Sequence, residues 1–231
     1  MTVRIAKFLS DNGVASRRGA ERLIADGAVA INGTVIDSPV NFVDDNDVVT
    51  VNGKKIETKL TTELYAFYKP INTMTTAHDP HARKTIYDVL PEKYKNLKYV
   101  GRLDYKTTGL LLLTNDGELA RRLTLPSSKI PRVYIATVSG DTKKLDMARR
   151  GITVDGIRYA PMKITETEPN VLRIEITEGK KNEIRIVMRA CGCPVVKLHR
   201  IKYGKIDIEN LIPGQIKKIS QKTIDEMIKT L

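Results

Sequence analysis

Tryptophan is absent from the 231 residues, and nine tyrosines with three phenylalanines bring aromatics to only 5%. That scarcity argues against a base-stacking platform as the main binding mode. Cysteine occurs twice, at Cys191 and Cys193. Two thiols one residue apart are too few for a disulfide framework or a four-ligand zinc site, and His78, His81 and His199 do not supply the missing ligands. No metal is expected, and a reducing cytoplasm is the natural setting. Long apolar runs are also missing. The densest, Leu110 to Leu113, falls far short of the roughly 18 residues that cross a bilayer. Arg4, Lys7 and Asp11 interrupt the first segment, so no secretory signal and no membrane partner are expected. Internal repeats, low-complexity tracts, a phosphate loop and a dinucleotide fingerprint are all lacking.

What the chain has in excess is positive charge. Lys and Arg number 39 against 27 Asp and Glu, a net charge of +12, on a background of 41% hydrophobic residues that suits a folded protein. Up to Leu60 the two signs balance at eight each, so the whole excess lies in residues 61–231. Even the balanced part is polarised: Arg17, Arg18 and Arg22 cluster early, and Asp44, Asp45 and Asp47 cluster late. This distribution fits a polyanion partner, but lysine serving only solubility fits the charge equally well.

Ile5, Phe8 and Leu9 repeat at helical spacing and predict a short helix over 4–12, closed by Gly13. Ser16 is a good cap for a second helix with apolar residues Ala20, Leu23 and Ile24 and a stop at Gly27. Arg18 and Arg22 lie one turn apart on that helix and project from the same side. Two short apolar runs flank Asn32-Gly33-Thr34, a hairpin signal, and further strands close the module between Val48 and Ile56. The stretch from Val14 to Gly33 (Val-Ala-Ser-Arg-Arg-Gly-Ala-Glu-Arg-Leu-Ile-Ala-Asp-Gly-Ala-Val-Ala-Ile-Asn-Gly) resembles the S4 RNA-binding domain. The resemblance implies a first domain over 1–60 whose second helix and hairpin face RNA, with Lys7, Ser16, Arg17, Arg18 and Arg22 as RNA-binding residues. Gly19 departs from the Glu usual in that family, which weakens the helix start without changing the fold.

Residues 57–62 are polar and read as a linker. Beyond it a strand-like run, Leu64 to Tyr68, stops at Lys69-Pro70, and residues 71–84 read as a long, disordered-looking loop and candidate RNA clamp. Strands are expected at 97–100, 110–114, 132–138, 171–176 and 195–198, and helices at 116–124, 142–149, 181–190 and 221–230. Strands interleaved with helices without regular βαβ spacing indicate an α+β fold.

The densest chemical signal runs from Gly101 to Gly117 (Gly-Arg-Leu-Asp-Tyr-Lys-Thr-Thr-Gly-Leu-Leu-Leu-Leu-Thr-Asn-Asp-Gly). Arg102 and Asp104 sit in a turn opened by Gly101, ahead of a strand apolar on both faces, and Gly109 permits close backbone approach. A carboxylate at the lip of a buried strand has the rigid mount that a catalytic group needs. An ordinary Asp–Arg pair pinning a turn fits the same residues. The segment resembles the catalytic motif of the pseudouridine synthases, in particular the RsuA/RluB type that modifies ribosomal RNA. Lys69-Pro70 with the loop to Asp88, Pro131-Arg132-Val133-Tyr134, and Glu178 to Arg185 resemble that family's other motifs. Departures are Tyr68 for the common Asn, Arg132 for Lys, Lys181-Asn182 for an Asn-Arg pair, and Cys193 for His.

The resemblance implies a synthase domain over 63–231 with a mixed, mostly antiparallel sheet, acting without a cofactor, as a monomer, on ribosomal RNA. It implies Asp104 as nucleophile or electrostatic partner at the scissile bond and Arg185 as the basic group that pairs with it. Tyr134 would stack on the target base and move a proton, while Arg102, Lys180 and Lys181 would contact RNA. The Glu183-Ile184-Arg185 form and the S4 arrangement favour large-subunit RNA over small-subunit or transfer RNA. The contrasting expectation is a non-catalytic ribosome-assembly protein on an inert scaffold, which should have lost Asp104 or Arg185.

Overall fold

A computed structural model describes residues 2–57 and 61–229, so residues 58–60 of the expected linker and residue 230 of the expected last helix lie outside the described residues. The chain divides into two compact units, Met1–Thr62 with Asn115–Gly117, and Glu63–Thr114 with Glu118–Leu231.

In the first unit, α1 (Ile5–Asp11) and α2 (Arg17–Ala25) precede a four-stranded sheet of β1 (Val29–Ile31), β2 (Thr34–Val35), β3 (Val49–Val51) and β4 (Lys54–Lys55). The strands pair antiparallel in the order β2-β1-β3-β4. Ile5, Leu9, Ala20, Ile24, Val29 and Val49 form the core, which is the apolar side expected of both helices. The Ser16 hydroxyl accepts the Gly19 N–H at 3.1 Å, so half of a capping box forms without the Glu. Asn32 and Gly33 both adopt left-handed backbone (φ 51° and 84°), the conformation of a type I′ hairpin turn. The Asn32 side chain also donates to Asp47 at 2.7 Å and accepts the Val48 N–H at 2.9 Å, tying the hairpin to the acidic cluster ahead of β3.

The second unit is built on a sheet of β5 (Leu64–Lys69), β6 (Lys98–Val100), β7 (Thr107–Thr114), β8 (Arg132–Val138), β9 (Lys163–Glu168), β10 (Val171–Ile176), β11 (Val195–Tyr203), β12 (Ile206–Asp207) and β13 (Ile216–Lys218). Its main path runs β9-β10-β8-β11-β7-β5-β13, with β12 beside β11 and β6 beside β7. Of the pairs between these strands, β11 and β7 run parallel, over Leu198–Arg200 and Thr107–Gly109, and the others antiparallel. The helices are α3 (Gly117–Thr124), α4 (Leu145–Arg150), α5 (Glu183–Ala190) and α6 (Gln221–Ile228).

Both faces of the sheet are covered, and β7 accordingly reads as a continuous apolar run. Leu111 and Leu113 join Tyr65, Phe67 and residues of α4 and α5 in one core. Leu110 and Leu112 join Leu64, Ala66 and residues of α3 and α6 in the other. The architecture is α+β, as the element pattern indicates. The strands that escape the hydrophobic pattern include the two at the ends of the main path. β9 reads Lys-Ile-Thr-Glu-Thr-Glu with only Ile164 buried, a polar edge strand that resists pairing with other chains. β13, on the opposite edge, has three residues. The segment expected as a helix over 142–149 starts as a 3-10 turn at Thr142–Lys144 and becomes α-helical only from Leu145. Cys191 and Cys193 are buried free thiols in the core under α5.

Candidate active site

Asp104 lies in the turn between Gly101 (φ 67°) and β7, and its carbonyl accepts the Thr107 N–H at 3.0 Å. The side chain is exposed while its mount is rigid. Residues 71–84 supply that rigidity. The buried Thr75 hydroxyl donates to the Leu103 carbonyl at 2.9 Å and lies 3.3 Å from the Leu103 N–H. The Asn72 N–H reaches the Tyr105 carbonyl at 2.9 Å. Within the loop, Asp79 pairs with Arg83 at 2.7 Å, and this guanidinium holds the Asp79 carboxyl well below the usual carboxylate range. Arg83 in turn covers the Tyr105 ring at 6.0 Å. The disordered-looking loop is therefore a folded brace on the Asp104 turn, because threonine hydroxyls satisfy backbone groups that periodicity cannot reveal.

Beneath the turn are cations that the sequence does not single out by spacing. Lys69, at the end of β5, is fully buried and donates to the Thr107 carbonyl at 2.8 Å and the Pro70 carbonyl at 3.0 Å. Burial pushes its ammonium down to about 8; attraction to Asp104 opposes the shift and repulsion from Arg200 adds to it. Arg200 on β11 is 2% exposed and donates to the Leu110 carbonyl at 2.6 Å, with its guanidinium 6.0 Å from the Tyr134 ring centre and 5.2 Å from that of Tyr203. Tyr134 on β8 is 7% exposed and pairs in register with Arg200. Gly109 makes this crossing possible. A Cβ there would stand 2.2 Å from the Arg200 carbonyl oxygen, and the residue has φ 103°.

Arg185, on α5, donates to the carbonyls of Lys106 and Val195, both at 3.2 Å. It feels Asp104 through space, and burial lowers its pKa. The group in direct reach of the carboxylate is Asn182, at the N-terminus of α5. With its nitrogen turned toward Asp104, the Asn182 amide donates to Oδ2 at 3.0 Å and Oδ1 at 3.2 Å. Buried Arg132 organises the approach to it, donating to the Thr177 and Glu178 carbonyls and to the Tyr203 hydroxyl.

The structure thus joins Asp104, Arg185 and Tyr134 through Lys69, Arg200 and Asn182. Of the other candidates, Arg102 and Lys181 are exposed, whereas Lys180 is ion-paired with Glu178. In the first unit Arg17, Arg18 and Arg22 are exposed, and among the described residues no ion pair engages them. Lys7 is committed to Asp11 at 2.7 Å, and Ser16 to its cap. No cluster of three His, Cys, Asp or Glu side chains suited to a metal ion occurs among the described residues. No described helix is long and apolar enough to cross a membrane.

Comparison with known proteins identifies the family. Residues 63–190 match the RNA pseudouridylate synthase family, and residues 3–49 match the S4 domain. An uncharacterised RNA pseudouridine synthase of Rickettsia conorii is 40% identical over 227 residues, covering 96% of this chain and 98% of the relative. Ribosomal large subunit pseudouridine synthase B of Bacillus subtilis is 34% identical over 225 residues, covering 94% and 92%. A crystal structure of a pseudouridylate synthase superposes with a TM-score of 0.70 at 26% identity, covering 97% of this chain and 99% of that one. With matches spanning both units, the chain belongs to the RNA pseudouridylate synthase family and carries an S4 domain ahead of its synthase domain.

Proposed function

We propose that the protein isomerises a specific uridine to pseudouridine in ribosomal RNA of the large subunit, with Asp104 as its central catalytic group. The observation that carries this reading is an exposed carboxylate on a turn braced by Asn72 and Thr75, with Lys69 and Arg185 supplying positive potential around it. Such preorganisation suits a group that must meet a sugar carbon in one geometry. In the reaction the N1–C1′ bond breaks, the uracil turns, and C5–C1′ forms. The C5 proton leaves and N1 gains one, so nothing is oxidised or reduced. Asp104 acts at C1′ as nucleophile or electrostatic partner, and Tyr134 stacks on the base and handles the proton. The reaction needs no cofactor.

The target base must leave its stack to reach Asp104, and the surrounding cations hold flanking phosphates while it does. Arg102 and Lys181 are exposed for this task, and Lys180 becomes available by exchanging Glu178 for phosphate. Arg17, Arg18 and Arg22 add affinity through the S4 domain. The choice of large-subunit RNA rests on the name of the Bacillus subtilis relative.

Tritium release from C5-labelled ribosomal RNA fragments tests both parts. Release from large-subunit fragments that is lost in Asp104→Asn, with RNA affinity within a few-fold, is the expected result. Release from small-subunit fragments alone would overturn the substrate, and release by Asp104→Asn at the normal rate would overturn the assignment of Asp104.

A further inference from the structure

The third motif departs from its family at Lys181-Asn182, and the structure gives that departure a task. Asn182 has left-handed backbone (φ 54°, ψ 22°) at the start of α5. Asparagine tolerates this region better than most residues, so the position accepts it at low cost. The conformation delivers the side-chain amide to Asp104, where one nitrogen reaches Oδ2 at 3.0 Å and Oδ1 at 3.2 Å. The opposite amide orientation would set oxygen against two carboxylate oxygens and is disfavoured. Meanwhile the Arg185 guanidinium is occupied by the carbonyls of Lys106 and Val195 and ties α5 to the segment before β7 and to the first residue of β11. Among the described residues, no other side chain donates a hydrogen bond to the Asp104 carboxylate.

We propose that Asn182 is a positioning residue for the reaction, in which its amide fixes the rotation of the Asp104 carboxylate while Arg185 holds the backbone on which both groups are mounted. The amide fixes the carboxylate's orientation without adding a charge. A carboxylate gripped at both oxygens presents a defined face to C1′, whereas a free one must be ordered in the transition state. This inference rests on the assignment of Asp104 to the chemistry.

Two substitutions separate the amide from the backbone. Asn182→Gly retains the left-handed conformation and removes the donor; Asn182→Asp retains the shape and replaces the donor with an acceptor. In single-turnover assays with the full-length protein at saturating RNA, Asn182→Gly should slow the rate at least about tenfold, with RNA affinity and melting temperature unchanged. Asn182→Asp should be slower still, and its loss should deepen as pH rises and the introduced carboxyl, raised by the neighbouring like charge, ionises against Asp104. Wild-type rates in both variants would overturn the proposal, as would loss of affinity without loss of rate, or rate losses that track melting temperature. Asp104→Asn, assayed in parallel, separates the two levels. If it is inactive while the Asn182 variants run at full rate, only the positioning role fails. If it turns over normally, the assignment beneath it fails.

Discussion

Lys69 illustrates how one buried charge can serve a site at a cost to the fold. Its ammonium is enclosed at the end of β5, held by two carbonyls and lowered to about 8 by burial. Between pH 8 and 10.5 the unfolded chain binds a proton that the folded chain has released, so stability rises with pH across that window. From pH 8 to 9.5 this contributes on the order of 1–2 kcal/mol. Tyr65 and Tyr87, both raised to about 12, destabilise the fold only as pH climbs past their unfolded value near 10. The buried thiols of Cys191 and Cys193, also raised, oppose this gain in both proteins, so between pH 8 and 9.5 the urea midpoint of the wild type should rise relative to that of Lys69→Met. Parallel pH profiles in the two proteins would mean that Lys69 is not desolvated in solution.

At the scale of elements, the site depends on β7 and β11 lying side by side in parallel, next to the Asp104 turn. Their approach is closest at Gly109, where a methyl group would collide with the Arg200 backbone in a conformation that L side chains avoid. Gly109→Ala should cost at least about 3 kcal/mol, read as a loss of urea stability in the synthase domain together with loss of turnover. A near-wild-type midpoint would mean that the pairing tolerates separation. The need for a glycine here was legible in the sequence as a glycine leading a run of leucines. Its partner was not, because Arg200 lies 91 residues further on and nothing local links the two.

At the scale of the whole molecule, two units with different charge balance divide the labour. The first carries no net charge up to Leu60 but displays Arg17, Arg18 and Arg22 uncommitted on α2. Lys7, by contrast, is paired with Asp11 and is the weaker candidate for phosphate. Removing residues 1–60 should weaken RNA binding and make its salt dependence shallower, since each lost phosphate contact lowers the slope by about 0.7–0.9. Filter binding across a salt series reads this directly, and an unchanged slope would exclude the α2 arginines from the interface. Tethering a binding unit to a catalytic one raises the local concentration of the second at the target of the first.

The sequence by itself determined the elements whose causes are local. Helical spacing with caps set α1 and α2, Asn32-Gly33 set the hairpin, and four consecutive leucines marked a strand buried on both faces. By resemblance it also marked Asp104 in an unaltered motif, and Tyr134 and Arg185 in motifs that each carry a departure. Tertiary structure decided what depends on distant partners. Residues 71–84 became a brace because Thr75 and Asn72 meet the Leu103–Tyr105 backbone. Lys69 and Arg200 became buried neighbours because β5 and β11 flank β7. Asn182, a departure from its motif in one dimension, became the direct partner of Asp104 in three. Side-chain hydrogen bonds and like-charge burial leave no period in a sequence, so only the assembled fold could place these groups around the carboxylate.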